Sequence, residues 1–138
     1  MKKFNYSKLL CEFNQNVDLK TISYQNALKE ITDLYFQQPD VLSESPATIA
    51  DRLLLLSMQV VDTHNFCLTK DQRYLRWKIP KRLEPFQMAV CISKINTIDL
   101  QTVSDNELNR LIFECDPGYS RPLTKVRKHL ELLLGRND

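Results

Sequence analysis

Apolar residues along this chain recur mostly at three- and four-residue steps, the spacing that lines one side of an α-helix. Between Lys3 and Asn14, a stripe of Tyr6, Leu9, Leu10 and Phe13 predicts a short helix. From Thr21 to Gln38 the pattern is fuller: Tyr24, Ala27, Leu28, Ile31, Leu34 and Tyr35 mark a helix with one face on a core. Ser45-Pro46 is a start signal, because Ser accepts from an unpaired N–H while Pro at the first helical position gives up none that was needed. The helix it opens, to about Asp62, carries Ile49, Leu53, Leu54, Leu55, Leu56, Met58, Val60 and Val61. Apolar residues on most of its sides predict cover on most of its sides.

The later half is less uniform. Phe86 to Ile95 has the content of a buried helix, although Met88-Ala89-Val90-Cys91-Ile92 alone suits a strand. Ser104-Asp105-Asn106-Glu107 matches a capping box and predicts a helix with Leu108, Leu111, Ile112 and Cys115 on one face. Ser120-Arg121-Pro122 opens a last helix that ends near Gly135. Between these, Leu75, Trp77 and Ile79 alternate with Tyr74, Arg76 and Lys78, the period of a half-buried strand, and Phe66 to Leu68 is a candidate partner across Thr69 to Gln72. A helix placing Arg73, Trp77 and Lys81 on one side and ending at Pro80 competes with it. The fold expected is mainly α: a compact domain over 1–138 of about five to six helices around a central leucine-rich helix (46–62), with room for one short β-hairpin (66–79).

Composition narrows the chemistry. Two glycines in 138 residues is far below the usual fraction of about 7%. Tight hairpins, phosphate-cradling loops and nucleophile elbows rely on glycine, so the scarcity argues against all-β folds, P-loops and dinucleotide-binding domains. Both glycines read as punctuation, Gly118 in the turn Asp116-Pro117-Gly118 and Gly135 as a helix C-cap. Cys11, Cys67, Cys91 and Cys115 are widely spaced beside apolar runs, which predicts buried free thiols, neither metal ligands nor a disulfide framework. Met1-Lys2-Lys3 is not followed by the apolar stretch of a signal peptide, and no segment has the length and apolarity of a membrane span. A soluble protein of the reducing cytoplasm, with no membrane partner, is the expectation.

Charge then locates the candidate surfaces. Residues 1–69 contain six Lys/Arg against eight Asp/Glu, whereas residues 70–138 contain thirteen against nine. One basic segment, from Lys70 to Arg82, holds Arg73, Arg76, Lys78, Lys81 and Arg82, interleaved with Tyr74 and Trp77 and opposed by Asp71 alone. Cations neutralise phosphates and aromatic faces stack on unpaired bases. Equally, such residues shield an exposed edge while Trp77 packs inward. The other basic segment is the last helix, where Arg121, Lys125 and Lys128 share a face with Leu132, opposite Leu123, Val126, Leu130 and Leu133.

Catalysis has little footing. Asp62, His64 and Cys67 are too close in sequence to converge as a triad, His129 stands alone, and no metal-ligand spacing occurs. No catalytic, cofactor or metal residues are assigned. The leading expectation is a non-enzymatic helical adaptor or regulatory module that binds another protein or itself, with the aromatic edge of Tyr35 and Phe36 as one anchor. The alternative is a DNA- or RNA-binding protein using 70–82 and 121–128; its footprint would be local, because the whole chain carries only +2.

Overall fold

The computed structural model describes residues 4–99 and 102–133. Six α-helices and two 3-10 turns are found among the described residues, and no β-strand. Backbone contacts gather into two compact units: Met1–Pro39 with Leu53–Lys81, and Asp40–Arg52 with Arg82–Asp138.

In the first unit, helix α1 (Tyr6–Asn16) starts where the Asn5 side chain accepts from the Lys8 N–H at 3.0 Å. Helix α2 (Tyr24–Phe36) starts in the same way, Ser23 accepting from the Asn26 N–H at 3.2 Å. Each cap satisfies a donor that the helix itself leaves unpaired. The stripes seen in sequence are the buried ones: Leu9 and Phe13 on α1, and Ala27, Leu28, Ile31 and Tyr35 on α2, with the two helices packed together. Tyr35 meets Phe4 and Phe36 edge-on, with centroids 5.4 and 5.3 Å away. The anticipated aromatic edge is thus internal: Tyr35 is fully buried and Phe36 half-buried.

Helix α3 (Pro46–Cys67) opens as expected, with Ser45 Oγ accepting from the Thr48 N–H at 3.2 Å. Its residues 46–52 belong to the second unit and the remainder to the first. It runs on to Cys67, past the boundary expected at Asp62, because His64 extends the buried stripe of Leu53, Leu56, Ser57, Val60 and Val61. Leu55 lies on the opposite side and is 46% exposed, so cover around the leucine-rich helix stops short of its full circumference.

The hairpin expected over 66–79 does not form. Phe66 and Cys67 complete α3, Lys70–Leu75 is a 3-10 turn, and the segment after it is extended without a strand partner. The turn is fixed by a capping box, the Thr69 N–H donating to Gln72 Oε1 at 3.1 Å. The extended part survives alone because Asn65 takes the role of a neighbouring strand. Its Oδ1 accepts from the Trp77 N–H and its Nδ2 donates to the Trp77 carbonyl, both at 2.9 Å. Backbone groups that would otherwise need a ladder are satisfied by one amide.

The second unit is built on helix α4 (Pro85–Ile95), which packs most extensively against α6 (Leu123–Leu133) and also against α5 (Asp105–Cys115). Seven of the eleven α4 residues are buried, Gln87 through Ile92 without a break, which makes α4 more completely enclosed than α3. Val126 and Leu130 of α6, and Leu108, Leu111, Ile112 and Cys115 of α5, supply the facing apolar groups. Fully burying a side chain of this size contributes roughly 1.5–3 kcal/mol. At the start of α5, Ser104 accepts from the Glu107 N–H at 3.1 Å. The Glu107 carboxylate pairs with Arg110, so the reciprocal half of the expected capping box is replaced by an ion pair. The C-cap assigned to Gly135 lies outside the described residues.

Candidate binding surface

The last turns of α3 hold the segment that follows in place. His64 is buried and its ring lies flat on Trp77, with centroids 3.5 Å apart and planes 4° from parallel. His64 Nδ1 stands 2.8 Å from the Leu19 carbonyl oxygen and Nε2 3.4 Å from that of Leu75. A neutral imidazole donates to one of these carbonyls; the protonated ring donates to both. Tyr24 closes the edge of the indole at 5.5 Å. Trp77 is consequently a structural anchor with one face occupied, and the inward reading of this residue is the one the geometry supports.

Around this clasp the remaining side chains point out. Phe66 is 91% and Tyr74 82% exposed, and Lys70, Arg73, Arg76, Lys78 and Lys81 are all exposed. None of these five cations forms an ion pair with any described residue. Phe66, Lys70, Arg73 and Arg76 line a groove of about 560 Å³, with Asp62 as its one acidic lining residue. Phe66 is not among the binding candidates the sequence suggests, because there 66–68 reads as a candidate strand. Continuing the α3 periodicity finds it: at 100° per residue it falls on the same side as Leu55 and Asp62, opposite the stripe ending in His64.

The other predicted cations behave differently. Arg82 belongs to the second unit and pairs with Asp116 at 3.1 Å, an oxygen that also accepts from the Gly118 N–H at 3.0 Å. Arg121 pairs with Glu84 at 3.5 Å. Arg127 donates to Asp105 at 2.8 Å and to the Val103 carbonyl at 3.1 Å. On α6, Lys125 and Lys128 are exposed, with Leu132 58% exposed on the same face. The sequence suggests 70–82 and 121–128 as one set of nucleic-acid contacts; in the structure Arg82 and Arg121 are tied into local ion pairs, while Lys125, Lys128 and Leu132 of the later group stay open.

Asp62, His64 and Cys67 do not assemble as a catalytic group, since both imidazole nitrogens face main-chain carbonyls. Among the described residues no group of three or more His, Cys, Asp or Glu side chains is placed to hold a metal ion. All four cysteines are free, but only Cys91 and Cys115 are buried; Cys11 and Cys67 are exposed, which corrects the expectation of four buried thiols. Cys11 lies off the buried stripe of α1 and Cys67 ends α3. Burial, reinforced by neighbouring Glu114 and Asp116, pushes the Cys115 thiol up to about 11, and burial raises Cys91 well above its ordinary value. Reactive thiols need the opposite shift. No described helix is long and apolar enough to cross a membrane. No family model matches this sequence, and no curated protein or solved structure is detectably similar to it.

Proposed function

We propose that this protein is a non-enzymatic binding module whose contact surface is the cationic, aromatic-studded segment from Phe66 to Lys78. One observation carries the reading: Lys70, Arg73, Arg76 and Lys78 have no ion-pair partner among the described residues, although Phe66 and Tyr74 stand open beside them. Exposed cations without acid partners keep their full charge available to an anionic partner, and exposed aromatics add contact area at low entropic cost. The His64–Asn65–Trp77 clasp supports the reading by pre-organising the segment before anything binds. The free thiols fit a reducing compartment such as the cytoplasm.

Retention on a heparin column tests it. The native chain is expected to elute only as salt rises, and a K70A/R73A/R76A/K78A variant with unchanged circular dichroism to pass in the flow-through. Equal elution of the two would overturn the assignment. A second reading, a protein-binding adaptor or regulatory module, is favoured by Phe113 at 63% and Leu132 at 58% exposure in the second unit. Large apolar side chains left in water gain free energy when a partner covers them. Reproducible co-purification of one protein from the native host, lost in F113A/L132A, is the expected result; recovery of the same material with both variants would remove it.

A further inference from the structure

We infer that the occupant of the Phe66–Lys78 surface is single-stranded nucleic acid; the inference rests on the proposed binding surface and adds the partner's chemistry. Charge complementarity points to a polyanion, since the groove's cations Lys70, Arg73 and Arg76 outnumber the single lining acid, Asp62. The placement of the cations argues for a single strand over a duplex. They sit on a 3-10 turn and the extended segment after it, not on a helix of the kind that enters a major groove. The aromatics then distinguish bases from acidic peptide. Phe66 and Tyr74 present nearly whole rings to solvent within the cationic segment. An unpaired base offers a π-face to each such ring and a phosphate to each neighbouring cation, which an acidic side chain does not.

Fluorescence anisotropy of the full chain, with labelled oligothymidylate and oligouridylate of roughly 16 nucleotides, decides between these partners. If Lys70, Arg73, Arg76 and Lys78 each neutralise a phosphate, the logarithm of affinity falls with the logarithm of salt at a slope of about −3. Removing two of them in R73A/R76A is expected to flatten that slope by about 1.4. F66A/Y74A is expected to weaken binding at least about fivefold with the slope unchanged, since it removes stacking and no charge. Tyr74→Phe, which keeps the ring, is expected to bind like the native chain and shows that the loss is not a folding effect. Binding of polyglutamate or of duplex DNA as tight as that of the single strand, or indifference to F66A/Y74A, overturns the single-strand inference while heparin retention keeps the binding surface. Failure to retain heparin at all overturns both.

Discussion

The two halves of the sequence's basic character meet different fates. From Lys70 to Lys81 the cations face solvent with no ion pair among the described residues, on a segment pinned from beneath by Asn65 and His64. In the second unit Arg82, Arg121 and Arg127 are each held by an acid, and Arg110 is shared by Glu107 and Glu114. The same residue types therefore do different work. In the second unit arginine closes loops and helix ends; in the first, backbone and core already hold the shape, and the cations are surplus to folding. Counting charges in sequence does not separate the two cases; knowing where the acids lie in space does.

The largest expected effect breaks the first half of this contrast at its base. Asn65→Ala removes both hydrogen bonds to Trp77 and leaves its backbone unpaired, an expected loss of about 2–3 kcal/mol in denaturant titration. Red-shifted tryptophan emission should accompany it as the indole loses cover. Asn65→Asp keeps the acceptor and loses the donor, and should fall between.

Next comes alkaline pH, which acts on the second unit's buried thiols. The folded chain keeps the Cys115 proton to about pH 11, whereas an exposed thiol releases it near its ordinary 9.0. The resulting stability is complete below about pH 9 and is lost as pH rises through 11, with a ceiling of about 3 kcal/mol. Tyr119, pushed up to about 12 mainly by burial, extends the loss. Thermal melts across this range should show the decline, flattened in Cys115→Ala. At neutral pH a thiol-reactive dye should modify Cys11 and Cys67 quickly and Cys91 and Cys115 only on unfolding.

The charge contrast itself is sharpened by paired variants. Arg127→Ala should cost about 1 kcal/mol, because it strands the Val103 carbonyl and Asp105 together. R73A/R76A should stay within about 0.5 kcal/mol of the native chain, as surface changes without partners do. The smallest effect is expected at Gly118, where an added Cβ would come within 2.4 Å of the Arg82 guanidinium. That group is the mobile end of an exposed side chain, so Gly118→Ala should cost no more than an exposed ion pair, about 0.5 kcal/mol.

Much of the helical architecture was legible in the sequence. Stripes such as Ala27, Leu28, Ile31 and Tyr35, and start signals such as Ser45-Pro46 and Ser104, are local features whose physics needs no knowledge of the rest of the chain. What escaped is nonlocal. The alternation around Trp77 read as a strand because extended backbone has that period; that a side chain twelve positions earlier would stand in for the missing strand left no periodic trace. The exposure of Phe66 was recoverable from α3's own periodicity once the helix was carried past Asp62. The ion pair between Arg82 and Asp116 was not, since it joins residues 34 positions apart.

An amide standing in for a neighbouring strand also divides heredity in this molecule. The path of the backbone beyond α3 is written at positions 64, 65 and 77, whereas the outward character of that path is written at 66, 70, 73, 74, 76 and 78. Drift in the second set alters the charge and aromatic content of the surface without endangering the fold, whereas a lone change at Asn65 would cost the platform on which the proposed binding depends.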